Sequence, residues 1–91
     1  MKLAWTSKAL SDLARLYEFL APVNRVAAAR TVQQLTATPR TLLANPRIGE
    51  QLDEFAPRNV RRVFAGNYEV RYEVVGTTIY VLRLWHTRED R

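Results

Sequence analysis

The chain has 91 residues and a mass of 10.5 kDa, room for one domain over residues 1–91 with a small core. Apolar residues make up 47% and charged residues 25%, a globular mix that excludes a disordered chain, and the absence of Cys excludes disulfides, thiol catalysis and the common structural zinc sites. The net charge is +5, and twelve of the fourteen cations are Arg, which forks carboxylate or phosphate with two parallel hydrogen bonds and so suggests an anionic partner.

No apolar run is long enough to span a bilayer, and the first residues do not read as a signal peptide. The expectation is a cytoplasmic protein without a membrane partner. Lys2 to Trp5 reads as a short strand. Thr6 or Ser7 then caps a helix, because a hydroxyl accepts a free N–H of the first turn. Leu10, Leu13, Ala14, Tyr17, Leu20 and Ala21 step by threes and fours and form one helical stripe, with Leu16 off it and exposed. Pro22 closes this helix. Asn24 caps a second one, whose stripe is Ala28, Val32, Leu35, Pro39 and Leu42. The short link makes the two helices an antiparallel hairpin. Pro39 kinks the second helix or starts a fresh turn, and the helix ends near Asn45, because Pro46 disfavours helix in the residue before it.

The segment with Pro46, Gly49 and Pro57 reads as a connection. Beyond it the pattern turns β-branched and alternating, giving strands at Val60 to Ala65, Tyr68 to Val75 and Thr78 to His86. Gly66-Asn67 and Gly76-Thr77 suit type II′ hairpins, where Gly takes the positive φ. The fold class is α+β: strand, helix, helix, three-strand meander, with the helix hairpin packed on one face of a small, mainly antiparallel sheet. The other face is open.

Two-residue turns fix a register by counting. Arg62 lies opposite Arg71, Phe64 opposite Glu69, Leu82 opposite Arg71 and Tyr80 opposite Glu73. One face then carries Arg62, Glu69, Arg71, Glu73, Tyr80 and His86. The helix-covered face carries Val63, Ala65, Tyr68, Val70, Tyr72, Val74, Ile79, Val81 and Trp85, and also Arg61 and Arg83. Those two cations sit at the sheet margin, or the register slips by one.

His86 is the only histidine and sits at a strand end beside several Arg, where an imidazole serves as general acid or base, or hydrogen-bonds locally to steady the strand end. No metal-ligand spacing and no Gly-rich phosphate loop occurs, so neither a metal nor a cofactor is expected. Arg62, Arg71 and His86 on one face supply part of a ribonuclease site, which needs cations for the phosphate plus an acid and a base. Glu69 and Glu73 on the same face oppose it by repelling phosphate. The excess charge lies elsewhere. Residues 1–45 hold Lys2, Lys8, Arg15, Arg25, Arg30 and Arg40 against Asp12 and Glu18 only, while residues 46–91 are nearly balanced. An acidic partner laid on the helical half gains Coulomb steering and apolar burial.

Four stretches carry a family resemblance: Trp5-Thr6-x-x-Ala9-x-x-Asp12-Leu13; Asn45-Pro46-Arg47-Ile48-Gly49; Val60-Arg61-Arg62 with Tyr68-Glu69-Val70-Arg71-Tyr72-Glu73-Val74; and Val81-Leu82-Arg83-Leu84-Trp85-His86-Thr87-Arg88. In this order they resemble the RelE/ParE superfamily of bacterial type II toxin–antitoxin toxins, over nearly the whole chain. The resemblance implies a growth inhibitor wrapped by the C-terminal part of a cognate antitoxin, with operator DNA reached only through that antitoxin. RelE-like members cut mRNA on the ribosome with basic sheet residues and an Arg and a Tyr or His near the end. Arg62, Arg71, His86 and Arg88 are the positions to which that role transfers. ParE-like members lack the set and poison DNA gyrase. The position after Tyr68, where the nucleases place Arg, is Glu69 here, and a carboxylate there turns a phosphate clamp into a repulsive group.

The resemblance therefore leans to the ParE-like branch. Its target surface is the tail with Arg83, His86, Arg88 and Arg91 together with the open sheet face. The antitoxin, acidic and partly disordered, is expected on Leu13, Arg15, Leu16, Tyr17, Leu20 and Arg30, or as an added strand at the sheet edge. A module that only assists an antitoxin is the third reading.

Overall fold

A computed structural model describes residues 1–89 of the chain, so Arg91 of the expected target surface lies outside the described residues. In chain order come β1 (Lys2–Trp5), α1 (Ser7–Leu20), α2 (Arg25–Thr41), β2 (Glu50–Gln51), a 3-10 turn (Asp53–Phe55), β3 (Val60–Ala65), β4 (Tyr68–Val75) and β5 (Thr78–His86). One sheet holds all five strands in the order β1-β5-β4-β3-β2. β1 runs parallel to β5, and the other pairs are antiparallel. This is the expected α+β architecture, enlarged by β2, a two-residue strand inside what reads as a connection.

Local chemistry starts and stops each element. The Thr6 side chain accepts from the Ala9 N–H at 3.2 Å and the Asn24 side chain from the Ala27 N–H at 3.0 Å, so both expected caps are in place. Gly66 and Gly76 have φ of 60° and 58°, and no other residue among those described has positive φ, which is the type II′ pattern. α2 contains Pro39 and ends at Thr41, earlier than the expected Asn45.

The helices cover one face of the sheet. Ala9 and Leu16 of α1 and Leu35 of α2 pack with Ala65, Val70, Val81 and Leu84. Leu42, Tyr72 and Ile79 form a second cluster. A fully buried Leu contributes about 2 kcal/mol. The face that α1 buries is Ala9, Asp12 and Leu16, not the stripe read from spacing: Leu16 is 3% exposed, whereas Leu10 is 52% exposed. The small side chain of Ala9 belongs to the buried face, and the polar Asp12 has a partner waiting there.

That partner depends on a β-bulge. Tyr72 pairs with Val81 but Arg71 pairs with Arg83, so Leu82 is the extra residue. The expected pairing of Leu82 with Arg71 is therefore wrong, and every β5 residue after Leu82 lies on the face opposite to the one counted for it. Leu84 enters the core, Trp85 moves to the open face opposite Glu69, and His86 moves to the helix side opposite Tyr68. Arg83 leaves the apolar face and wraps the β5 edge to reach α1. Its Nε donates to Asp12 Oδ2 at 2.7 Å and its Nη2 to Oδ1 at 3.1 Å, while the Leu84 N–H donates to Asp12 Oδ2 at 2.9 Å. Thr6 steadies the bulge by donating to the carbonyls of Val81 and Leu82. Arg61, the other misplaced cation, sits at the sheet margin and donates to the carbonyls of Arg47 and Gly49.

The connection is pinned from beneath. The Tyr72 hydroxyl donates to the Pro46 carbonyl at 2.7 Å and accepts the Gly49 N–H at 3.0 Å. Burial pushes the Tyr72 phenol above its ordinary value. A Cβ at Gly49 would lie 2.5 Å from the Tyr72 hydroxyl and 2.7 Å from the Arg62 carbonyl, so only Gly allows this approach.

Candidate functional site

The open sheet face is a lattice of neutralised charge. Glu69 is buried and accepts from Arg71 Nη2 at 3.1 Å, with Arg62 Nη1 3.6 Å from its other oxygen. Arg62 also forks Glu50 across the β2–β3 pair. Arg58 forks Glu73 with bonds of 2.9 and 2.8 Å. The Arg71 guanidinium lies 5.4 Å from the centroid of Phe55, on the 3-10 turn, and 4.7 Å from that of Trp85. The connection thus folds over part of this face.

Each bonded carboxylate favours its charged partner. Hydrogen bonding to Glu50 holds Arg62 above its ordinary value, and hydrogen bonding to Asp12 does so for Arg83. Arg58 holds the Glu73 carboxyl below its ordinary range. A depressed carboxyl stabilises the fold above its unfolded pKa and loses that contribution as pH falls through the folded value. Acid scans of the melting midpoint from about pH 6 to pH 3 are therefore expected to fall less steeply in Glu73→Gln than in the parent chain. Parallel curves count against this pair as an acid-labile contact.

The second feature is a groove on the helix side, about 620 Å³, between the C-terminal half of α1 and the end of the sheet. Leu16 forms its floor, Phe19 and Leu20 one wall, and Tyr68 and His86 the other. His86 meets Tyr68 edge-to-face with centroids 5.1 Å apart, and its Nδ1 accepts the Arg88 N–H at 3.1 Å. Arg15 reaches across to Glu89 with bonds of 2.7 and 3.3 Å, and that hydrogen bond holds Arg15 above its ordinary value.

The sequence-predicted residues sort accordingly. Arg62 and Arg71 share the open face as expected, but His86 is on the opposite side and Arg88 is exposed beyond it. The four do not converge on one point. Arg83, expected at a target surface, is engaged by Asp12. Of the expected antitoxin residues, Arg15, Leu16 and Leu20 line the groove, Leu13 is half-buried beside the core, Tyr17 is exposed, and Arg30 is exposed on α2. Leu16 is floor and not open surface. Phe19, 76% exposed, and Tyr68 are groove residues that sequence reading missed. Phe19 carried a signal, an aromatic residue off the stripe at a helix end. Tyr68 carried none, because its neighbour across the sheet depends on the bulge.

Charge on the helical half has a different character. Lys2, Lys8, Arg25, Arg30 and Arg40 make no ion pair among the described residues. The same residues include no group of three or more His, Asp or Glu placed to hold a metal ion. No helix among them is long and apolar enough to cross a membrane.

The family described as ParE toxin of type II toxin-antitoxin system, parDE, matches residues 3–91. The chain belongs to the ParE toxin family. A solved structure described as a chromosomal ParDE TA system from P. aeruginosa is similar to this ParE-family chain, with a TM-score of 0.79 and 25% sequence identity, covering 94% of this chain and 95% of that one. No curated protein sequence matches it. As a toxin of a type II toxin–antitoxin system, the ParE-family chain has a cognate antitoxin as its partner.

Proposed function

We propose that this ParE-family toxin stops growth by binding and poisoning DNA gyrase, as a protein inhibitor with no catalytic residues of its own. The observation that carries the reading is the division of the nuclease candidates by the sheet. Transphosphorylation needs cations free to take phosphate charge next to an acid and a base. Here Arg62 and Arg71 are bonded to carboxylates on one side, and His86 lies on the other. The target surface is the open face with the tail from His86 to Arg91, and the gyrase assignment follows the ParE-like resemblance. The antitoxin's acidic, partly disordered C-terminal segment neutralises the toxin from the helical side. Support for that contact is the apolar groove beside Arg15, together with Arg25, Arg30 and Arg40 of α2, which make no ion pair among the described residues.

Purified toxin added to a DNA gyrase supercoiling reaction is expected to block supercoiling in proportion to its concentration. Unchanged supercoiling at saturating toxin removes the gyrase assignment. New cleavage ends in translated mRNA, read by primer extension and lost in Arg62→Ala and His86→Ala, replace it with the ribosomal one.

A further inference from the structure

Charge on the open face cancels in pairs except at one place. Where the start of α1 meets that face, a cleft of about 320 Å³ is lined by Lys8 from α1, Arg58 from the connection, Arg71 from β4 and Arg83 from β5, with Phe55 and Leu82 as its apolar part. None of its lining residues is a carboxylate. Three of these cations hold carboxylates outside the lining: Arg58 holds Glu73, Arg71 holds Glu69 and Arg83 holds Asp12. Lys8 makes no ion pair among the described residues. Arg15 and Arg62, which also approach Asp12 and Glu69, have Glu89 and Glu50 of their own. Four cations against three carboxylates leave one positive charge over at the cleft.

The donors left over favour a phosphate over a carboxylate. Arg58 and Arg83 already spend a two-bond fork, from Nε and Nη2, on Glu73 and Asp12. Arg71 gives Glu69 one bond, and its Nε is buried without an acceptor. The cleft therefore offers single guanidinium N–H groups and an ammonium, carried on four separate elements. A planar carboxylate is matched best by a fork, whereas a tetrahedral phosphate accepts single bonds from several sides, with Lys as a point charge. The beginning of α1, which brings Thr6 and Lys8 to the cleft, adds the partial positive charge of a helix N-terminus. One surplus charge matches the single negative charge of a phosphodiester, and Phe55 gives an apolar wall for the attached sugar or base.

We propose that this cleft binds a phosphodiester group of a nucleic-acid strand. The contact holds the strand by its backbone and reads no sequence. It binds without cutting, because the lining holds no carboxylate or imidazole to take a proton, and His86 lies on the other side of the sheet. The site needs only the charge and shape of the cleft and does not depend on gyrase being the target.

The test is fluorescence anisotropy of a labelled single-stranded DNA of about twelve nucleotides, titrated with free toxin. Binding is expected to weaken about three- to sevenfold between about 50 and 200 mM salt, the slope of one or two neutralised phosphates on a single strand. Lys8→Ala and Arg58→Ala, both at exposed positions, are expected to weaken it about five- to tenfold each while the melting midpoint stays within a few degrees of the parent's. Lys2→Ala and Arg25→Ala remove the same charge at exposed positions outside the cleft and are expected to change binding less than about twofold. Equal losses in all four variants mean diffuse attraction to a basic surface and overturn the cleft. An inorganic phosphate affinity equal to that of the strand assigns the cleft to free phosphate and overturns the strand. Displacement by polyglutamate as readily as by unlabelled oligonucleotide overturns the phosphate preference. A toxin that blocks supercoiling yet fails to bind the oligonucleotide overturns the cleft and leaves the gyrase reading standing. One that binds it through Lys8 and Arg58 and leaves supercoiling unchanged does the reverse.

Discussion

Asp12→Ala is expected to destabilise the domain by about 3 kcal/mol, a fall in melting midpoint of roughly 12–24 °C for a chain of this size. Asp12 is 5% exposed and its carboxylate takes three bonds, two from Arg83 and one from the Leu84 N–H. Truncation leaves a buried amide without an acceptor and a guanidinium without its counter-charge, and both penalties fall on the folded state. Asp12→Asn keeps an acceptor for the amide but loses the charge, so about 1–2 kcal/mol is expected. Thermal melts order the three chains. A loss below about 0.5 kcal/mol in Asp12→Ala would show that the edge of β5 does not depend on this carboxylate.

The second large effect is at the tyrosine latch under the connection. Tyr72→Phe is expected to cost about 1–3 kcal/mol, because the Gly49 N–H loses its acceptor in a buried position. Gly49→Ala is expected to cost at least as much, since the new methyl meets both the Tyr72 hydroxyl and the Arg62 backbone carbonyl. The two act on one contact, so the double variant is expected to be less destabilised than the sum of the singles. Removing the hydroxyl relieves one clash, while those with the Arg62 carbonyl at 2.7 Å and the Tyr72 ring edge at 2.8 Å persist. Chemical denaturation of the four chains measures this. Strict additivity means that the hydroxyl and the glycine are not coupled.

What sequence reasoning recovered was local. Strand limits from Lys2 to Trp5 and from Val60 to His86, both helix caps and both glycine turns depend on residues within a few positions of each other, and all are found where expected. The errors come from distant partners. Asp12 entered the charge count with no partner assigned, because Arg83, its counterpart, is 71 positions away. Leu16 looked exposed because the apolar stripe excluded the polar Asp12 that in fact shares its buried face. Alternation along β5 is correct on each side of Leu82 and inverts there, since strand periodicity carries no mark of one unpaired residue. The candidate site suffered most, because His86, Trp85 and Arg83 all follow that point. Charge balance between the halves was readable by counting, and the ion pairs explain it. Arg58, Arg62 and Arg71 of the sheet half are engaged by carboxylates of that same half, while Lys2, Lys8, Arg25, Arg30 and Arg40 make no ion pair among the described residues.

Leu82 also acts as a partition. With its extra length in β5, the imidazole that follows looks toward the helices while Arg62 and Arg71 look away. Were Leu82 paired with Arg71 in an unbroken ladder, the proton-transfer group and the guanidiniums would fall on a common side. One unpaired position thus keeps the ingredients of phosphate chemistry in separate compartments of the same small domain.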